Sequence, residues 1–369
     1  MRRDLQLANP RQMVIAVTGA SGFIGQRLLQ MLAVQPDIAA MRPLSRRGGE
    51  GVATRLDSLA DLRTALAGCD ALVHCAFDLF DMAANLRIAR TVAEACSAVG
   101  ARLIHVSTAA VHEPLPDGDL NETHVALPTG DAYKDTKLAI EQELQHCVAQ
   151  YGLKLLILRP TVVYGPFGGA WTDGPVRELL SGRVVLPDDG QGLCNAVFVD
   201  DVCAAIIDAL RSDPPSGEVC LISGPAPVEW RTFLGAYQDM LGRDALCFQP
   251  LAELLPAVPA APASGAKARI RSLLHTMLPL GAARRLLARG LGTRGRLRLL
   301  LLLQRFRRLG GSRNHVPTGA RLALYASHCH VRTDHARALI GYLPQFDLAR
   351  GMAATAPYVQ RLAGIRPLQ

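Results

Sequence analysis

The stretch Thr18-Gly19-Ala20-Ser21-Gly22-Phe23-Ile24-Gly25 directly follows the apolar run 13–17. Gly19 permits a tight turn out of a strand, Gly22 lets the backbone approach a pyrophosphate, and Gly25 lets the next helix pack closely on the sheet. The amino end of that helix offers free N–H groups and the positive end of a dipole. The stretch therefore predicts a strand–turn–helix unit that binds a dinucleotide.

The sequence on either side of this unit predicts a parallel sheet with helices on both faces. From Val14 to about Leu210, almost continuously apolar runs alternate with helical stretches, which is typical of such a sheet. The predicted strands are Val14–Thr18, Ala71–Cys75, Leu103–Ser107 and Leu155–Leu158. The predicted helices lie around Ile24–Leu32, Leu59–Leu66, Asn85–Val99 and Tyr133–Gln150.

The predicted fold class is α/β, a doubly wound parallel sheet of the Rossmann type with a smaller, mixed substrate lobe. Prolines and glycines break the regular pattern after Arg159-Pro160, and a helical pattern resumes at Val197. We expect the dinucleotide-binding domain at 12–164 and 196–222. The substrate lobe is then expected at 165–195 and 223–369, with a basic, Leu/Arg-rich insertion at about 255–316.

Composition excludes several classes of protein. The chain has 369 residues, of which 49% are apolar and 20% charged, and no apolar run approaches the roughly 18–20 residues of a membrane-spanning helix. The nine cysteines are scattered without metal-ligand spacing. We therefore expect no metal site, reduced thiols and a cytoplasmic location.

A second motif, Tyr133-Lys134-Asp135-Thr136-Lys137, carries reactive side chains. It places a phenol and an ammonium four residues apart, on one face of a helix. Together with the glycine turn, it suggests a chain that binds a dinucleotide and moves a proton and a hydride on a bound substrate.

With these motifs in order, the chain resembles the extended short-chain dehydrogenase/reductase family, also called the NAD-dependent epimerase/dehydratase family. The resemblance covers about Val14 to Leu210, and a weaker similarity extends from Val331 to Tyr358. Besides the two motifs above, it rests on Arg55-Leu56-Asp57, His74-Cys75-Ala76, Val106-Ser107-Thr108, 159–166 (RPTVVYGP) and 197–202 (VFVDDV).

The resemblance implies a role for each matching residue. Tyr133 would be the acid/base, and Lys137 would hold the nicotinamide ribose and lower the pKa of the tyrosine. Thr108 would donate a hydrogen bond to the reacting oxygen, and its neighbour Ser107 is the reserve candidate for this role. Asp57 would contact the adenine. The full set of implied cofactor contacts is Gly19, Ser21, Gly22, Phe23, Ile24, Gly25, Arg46, Asp57, Tyr133, Lys137 and Pro160.

The choice between NADP and NAD depends on the second strand of the sheet, which should follow the helix Ile24–Leu32 and end near residues 44–47. That region, Leu44-Ser45-Arg46-Arg47, lacks the acidic residue that would bind the ribose 2′-hydroxyl of NAD. Arg46 or Arg47 would instead pair with the 2′-phosphate of NADP. A solvated basic loop is the alternative interpretation, and we favour NADP over NAD.

The sequence departs from the family pattern in ways that bear on the substrate. Ala109-Ala110 stand where family dehydratases carry an Asp-Glu pair. Val162 stands where many nucleotide-sugar members have Asn, Cys194 where many have a phosphate-binding Arg, and His112 where Tyr is usual. We interpret His112, like His74, as a structural rather than a catalytic histidine.

The section between Leu254 and Thr333 contains no Asp or Glu, whereas Arg recurs throughout it. Peripheral contact with an anionic membrane surface is one interpretation. An insertion whose leucines pack inward is the other, and we favour it. Nucleic acid is not an expected partner, and a homodimer is left open.

These observations predict an NAD(P)-dependent oxidoreductase or epimerase that acts on a secondary alcohol or ketone. A nucleotide-sugar substrate is favoured by the family resemblance alone. An apolar hydroxy-ketone, steroid- or flavonol-like, is the alternative substrate. A non-catalytic dinucleotide-binding sensor is the alternative class, and the intact Thr108, Tyr133 and Lys137 argue against it.

Overall fold

The computed structural model describes residues 12–45, 51–79, 81–255 and 313–365. In these ranges the strands are β1 (Met13–Thr18), β2 (Ile38–Ser45), β3 (Val52–Ala53), β4 (Ala71–His74), β5 (Arg102–Val106), β6 (Gly118–Leu120), β7 (Leu155–Pro160), β8 (Val162–Tyr164), β9 (Gly182–Pro187), β10 (Leu193–Cys194), β11 (Ala196–Phe198), β12 (Glu218–Ile222), β13 (Val228–Glu229), β14 (Leu246–Gln249), β15 (Arg313–His315) and β16 (Cys329–Val331).

The helices of the same ranges are α1 (Phe23–Leu32), α2 (Leu59–Leu66), α3 (Met82–Val99), α4 (Ala132–Tyr151), α5 (Gly174–Ser181), α6 (Val199–Arg211), α7 (Trp230–Leu241), α8 (Leu251–Leu254), α9 (Ala320–Ala326), α10 (Asp334–Ile340) and α11 (Leu348–Ala363). A short 3₁₀ helix spans Ala109–His112, and a π-helical turn spans Gly169–Asp173.

The central sheet has seven parallel strands in the order β12-β7-β5-β4-β1-β2-β3. Alternate residues of each central strand enter different cores. Ile15 and Val17 belong to the core that also contains residues of α1 and α6, whereas Ala16 belongs to the core formed with α2, α3 and α4. Both faces of the sheet are thus covered by helices. The predicted doubly wound α/β fold is confirmed.

Local capping places the Tyr133–Lys137 motif at the start of a helix. The Asp131 carboxylate accepts hydrogen bonds from the backbone N–H groups of Tyr133 at 3.0 Å and Lys134 at 3.1 Å, which satisfies donors that the first turn leaves free. At the other end, Gly152 takes a left-handed conformation with φ 63° and ends α4. The first turn of α4 therefore carries Tyr133 and the second carries Lys137.

The segments after β7 form smaller sheets beside the central one, with the pairs β10-β13, β11-β8 and β16-β6 and the three strands β14-β9-β15. Buried Asn195 ties two of these segments together. Its amide donates to the Cys329 carbonyl at 2.9 Å and accepts from the Val331 N–H at 2.9 Å. The predicted domain boundaries stay a prediction.

Most of the basic Leu/Arg-rich section, residues 256–312, lies outside the described residues. Among the helices that are described, none combines the length and apolar character needed to cross a lipid bilayer.

Candidate active site

The site lies at the carboxyl edge of the central sheet. Because the strands are parallel, the residues that follow β1, β4, β5 and β7 meet at one edge. A cleft of about 640 Å³ opens there, and Phe23, Thr108, Tyr133 and Pro160 all line it. The fold thus brings the glycine turn, the predicted acid/base and the end of β7 to one place.

The glycine turn has the geometry that the sequence predicts. Gly19 has φ +67°, and a Cβ there would lie 2.7 Å from the Ala76 backbone nitrogen. A Cβ on Gly25 would lie 2.2 Å from the Gly19 carbonyl oxygen, so the close contact between turn and helix requires glycine at both positions. Gly22 is exposed and forms the N-cap of α1.

The environment of Gly22 fits a pyrophosphate. The only described atom within 4 Å of a Cβ built on Gly22 is the Gly19 carbonyl oxygen at 3.1 Å, so the outer side of the turn is open to a ligand. No acidic side chain lies in the first turn of α1 to repel an anion. These residues therefore fit the phosphates of a dinucleotide.

A buried histidine supports this turn. The Oγ1 of Thr18 lies 2.7 Å from Nδ1 of His74, and the Ala76 N–H donates to the same threonine oxygen at 3.4 Å. Burial, followed by the charge of Lys137, lowers the pKa of His74 to about 3. His74 is therefore a neutral hydrogen-bonding partner of the turn, which agrees with its interpretation as a structural histidine.

Tyr133 and Thr108 contact each other in the cleft. The phenol lies edge-on to Phe77, with 5.3 Å between ring centroids. Burial raises the pKa of Tyr133, a hydrogen bond with the Thr108 side chain lowers it, and the carboxylates of Asp131 and Glu113 raise it. The net direction is upward, because the burial of the phenol outweighs its hydrogen bond. The expected lowering of this pKa by Lys137 is not found, since Lys137 is not among the groups that shift it.

Lys137 is buried beneath Tyr133 on the same helix. Its ammonium donates to the Val106 carbonyl at 3.0 Å and lies 4.7 Å from the centroid of the Phe77 ring. Burial lowers the pKa of Lys137 to about 8, although Cys75 and Glu141 favour the charged form. The ammonium is thus held in place at the edge of β5.

A buried polar network lies behind these residues. The Ser107 hydroxyl donates a hydrogen bond to Glu141, and Nε of Arg159 donates to both oxygens of Glu141 at 3.1 Å. Nη1 of Arg159 also lies 2.9 Å from Nε2 of His112. The network joins β5, α4, β7 and the 3₁₀ helix, so it holds the strand end that carries Thr108 against the helix that carries Tyr133.

Sequence reasoning missed this network. Glu141 stands four residues after Lys137, so its place on the inner face of α4 could have been recognised from helical spacing. From the sequence, Ser107 was the reserve candidate for catalysis, whereas in the structure its hydroxyl donates a hydrogen bond to Glu141. Ser107 also lines the cleft.

The remaining predicted cofactor residues are placed as follows. Ser21 is exposed on the glycine turn, and Phe23, Ile24 and Pro160 line the cleft. Asp57 is exposed and follows β3, which pairs with the end of β2 at the same edge of the sheet. Arg46 follows β2 and lies outside the described residues.

The other walls of the cleft are mostly apolar. They include Leu115, Val162, Val163, Trp171, Leu324 and Val331. Two ion pairs interrupt them. Lys134 contacts Glu113 at 2.5 Å, and Arg321 donates to both oxygens of Glu178 at 2.7 and 2.9 Å.

A doubly wound sheet with a glycine turn, a tyrosine and a lysine at its carboxyl edge defines a Rossmann-type, nicotinamide-dependent oxidoreductase. The model of the NAD dependent epimerase/dehydratase family matches residues 15–222, and the chain belongs to that family.

Sequence relatives include two reductases. The chain is 30% identical over 241 residues to 4-hydroxy-2-methyl-3-oxo-4-farnesyl-3,4-dihydroquinoline-1-oxide ketoreductase of Stigmatella aurantiaca, covering 59% of this chain and 70% of the relative. It is 29% identical over 246 residues to 2′-dehydrokanamycin reductase of Streptomyces kanamyceticus, covering 62% and 67% respectively.

Solved structures with the same fold include sugar-nucleotide enzymes. UDP-glucuronic acid 4-epimerase of Bacillus cereus, in complex with NAD, matches with a TM-score of 0.65 and 18% identity, over 95% of this chain and 99% of that one. DesIV, a dTDP-glucose 4,6-dehydratase of Streptomyces venezuelae, matches with a TM-score of 0.65 and 21% identity, over 95% and 98%. At these identities the likeness shows the fold.

Proposed function

We propose that the protein is an NAD(P)H-dependent reductase of an apolar hydroxy-ketone, and in reverse a dehydrogenase of the corresponding alcohol, with Tyr133 as acid/base. One observation carries the proposal. The Tyr133 phenol lies beside the Thr108 side chain, and both line a cleft of about 640 Å³ whose other walls are mostly apolar. Apolar clefts with a few placed polar groups are typical of sites for small organic ligands.

The polar groups near the cleft argue against a nucleotide-sugar substrate. Cys194, at the position where many family members have a phosphate-binding Arg, is fully buried. The amide of its neighbour Asn195 is already hydrogen-bonded to the backbone of β16. The guanidinium of Arg321 is neutralised by Glu178. A diphosphate would therefore find little uncompensated positive charge among the described residues of the cleft.

Two further features favour reduction of an apolar ketone. Ala109 and Ala110 line the cleft directly after Thr108, so they supply no acid or base for the elimination of water. The ketoreductase of Stigmatella aurantiaca, which is 30% identical to this chain, is named for a farnesylated ketone. A farnesyl group is apolar and is compatible with walls of this composition.

The glycine turn and Lys137 fit a nicotinamide cofactor, which when bound supplies or accepts the hydride. Gly19, Gly22 and Gly25 would leave room for the pyrophosphate at the turn, and Lys137 would hold the nicotinamide ribose. We propose NADP over NAD, because Arg46 and Arg47 directly follow β2, where an acidic residue would serve NAD.

In the proposed reduction, the hydroxyl of Tyr133 donates its proton to the carbonyl oxygen of the substrate. The Thr108 hydroxyl donates a hydrogen bond to the same oxygen and stabilises the charge that develops there. The burial that raises the pKa of Tyr133 keeps the phenol protonated, as a proton donor must be before the reduction. The buried polar network holds Thr108 next to Tyr133. It consists of Ser107, Glu141 and Arg159.

Replacing Tyr133 tests this function. Tyr133→Phe keeps the ring and its contact with Phe77 but removes the proton donor, so turnover should fall by about 10²–10⁴-fold with nearly unchanged cofactor binding. Consumption of NADPH with a panel of apolar hydroxy-ketones is followed by nicotinamide absorbance, and cofactor binding by titration. Tyr151→Phe, at an exposed tyrosine at the far end of the same helix, is the control.

Wild-type turnover of UDP-sugars without turnover of any apolar ketone would overturn the substrate assignment. Turnover in Tyr133→Phe close to that of the wild type would overturn the mechanism.

A further inference from the structure

The ion pair between Lys134 and Glu113 lies beside the proposed acid/base. Lys134 follows Tyr133 on α4, and Glu113 follows the 3₁₀ helix that begins after Thr108. The ammonium and the carboxylate are 2.5 Å apart, and the two side chains are only 11% and 14% exposed. Glu113 is close enough to the phenol to raise the pKa of Tyr133.

This pair lines two clefts at once. Both residues line the catalytic cleft, and both also line an adjoining cleft of about 340 Å³. Leu115, Ala320 and Leu324 are shared by the two clefts as well. The ion pair is therefore a charged group in a partly apolar wall. It lies where the catalytic cleft meets the adjoining cleft.

The hydrogen-bonding capacity of the pair is mostly unused. An ammonium has three donors, and a carboxylate accepts up to about four hydrogen bonds. Within the described residues, the hydrogen bond found for the Lys134 ammonium is the one to Glu113. A nearly buried ion pair stabilises a fold poorly unless its remaining donors and lone pairs are satisfied. Since both side chains line the clefts, their free donors and lone pairs are available to a bound molecule.

The chemistry of the pair selects one kind of group. A hydroxyl is both a donor and an acceptor, so it can accept from Lys134 and donate to Glu113 at the same time. A carboxylate would be attracted by Lys134 but repelled by Glu113, and an amine cation would be attracted by Glu113 but repelled by Lys134. A second carbonyl could use only the ammonium.

We propose that Glu113 and Lys134 form the subsite that holds a neutral hydroxyl of the substrate near the reacting carbonyl, which makes them specificity-determining residues. The inference rests on the proposed function and deepens it: the substrate class becomes an apolar ketone with a hydroxyl close to the carbonyl, such as a β-hydroxyketone. The hydrocarbon part of this substrate lies against the apolar walls.

Binding of two matched ketones tests the subsite. The probes are 4-hydroxy-4-phenylpentan-2-one, whose tertiary hydroxyl the oxidised cofactor cannot oxidise, and 4-phenylpentan-2-one, which differ by one hydroxyl. Their Kd values are measured by calorimetry on the full chain with oxidised cofactor, so that no reduction occurs. Wild type should bind the hydroxyketone at least about tenfold more tightly, because hydrogen bonds to charged groups are the stronger ones.

The variants Lys134→Met and Glu113→Gln should both bring this ratio of Kd values towards one. Glu143→Gln is the control, because it removes the exposed Arg90–Glu143 ion pair on the same helix, outside the residues that line the two clefts. It should leave the ratio unchanged. Thermal unfolding confirms that each variant is folded, and Glu113→Gln, which keeps the side-chain size, decides the question if Lys134→Met does not fold.

A wild-type ratio near one, or a ratio that neither variant changes, overturns the subsite. Failure of the proposed function is a separate result. Suppose that wild type turns over neither ketone with NADPH, but binds the hydroxyketone more tightly and loses this preference in the two variants. The reductase assignment is then wrong, and the hydroxyl-binding subsite is supported.

Discussion

Replacing the buried lysine of the active site should stabilise the protein while it abolishes activity. Lys137 lies almost fully inside the protein, and burial lowers its pKa from 10.5 to about 8. Each unit of pKa corresponds to about 1.4 kcal/mol, so holding the lysine charged in the folded state costs roughly 3 kcal/mol. Lys137→Met removes the charge and keeps the approximate length of the side chain.

Part of this gain is offset by the loss of a hydrogen bond. The Lys137 ammonium donates to the Val106 carbonyl at 3.0 Å, and an unsatisfied buried acceptor costs about 1–3 kcal/mol. We therefore expect Lys137→Met to raise the free energy of unfolding at pH 7 by about 1–2 kcal/mol. Turnover should be lost, because the variant has no ammonium to hold the nicotinamide ribose.

The dependence on pH gives the prediction its sign. Between the folded pKa of about 8 and the unfolded value near 10.5, the unfolded chain holds the lysine proton and the folded protein does not. The contribution of Lys137 to stability therefore rises with pH through this window. The advantage of Lys137→Met over wild type should be full below pH 8 and should shrink as pH approaches 10.

Urea unfolding of both proteins at pH 7 and pH 9.5 measures this difference. Contributions of all other titrating groups cancel to first order when wild type and variant are compared at the same pH. Lys154→Met, at an exposed lysine, is the matched control and should show no such trend. A variant that is less stable than wild type at pH 7, or an advantage that does not decline with pH, would refute the reasoning.

Two further predictions concern the cofactor. Gly22→Val should weaken cofactor binding by equilibrium titration, because a branched side chain would occupy the open side of the turn where a pyrophosphate approaches; unchanged affinity in a folded variant would make the turn purely structural. Arg46→Asp combined with Arg47→Ser should shift the ratio of affinities from NADP towards NAD, since it removes the partners of a 2′-phosphate and adds an acceptor for a ribose hydroxyl. A wild type that already prefers NAD would contradict the assignment of NADP.

The central fold could be predicted from the sequence because its signals are local. A continuously apolar strand, a glycine turn and a helical repeat each act over fewer than about twenty residues. Predicted strand Val14–Thr18 appears as Met13–Thr18, and predicted helix Leu59–Leu66 appears with the same bounds. The helix predicted at Asn85–Val99 begins earlier, at Met82, because the Asp81 carboxylate accepts from the Ala84 N–H and caps it.

Spacing alone also determined which residues could share the site. The glycine turn follows β1 and Thr108 follows β5, two parallel strands of one sheet, so their meeting at the carboxyl edge follows from topology. Tyr133 begins α4. Of the candidate residues in the described ranges, Phe23, Ile24, Thr108, Tyr133 and Pro160 line the cleft. Lys137, Ser21, Asp57 and the three glycines of the turn are not among its lining residues.

Only the tertiary structure decided how the polar groups around that site are used. Glu141 contacts Ser107 and Arg159 across 34 and 18 residues of sequence, and Asn195 contacts Cys329 across 134 residues. No local pattern specifies such partners, because a buried polar side chain is satisfied by whatever group another element brings to it. For the same reason, the sequence contained Glu113 and Lys134, but only the packing of the 3₁₀ helix beside α4 brought them together as an ion pair that lines the cleft.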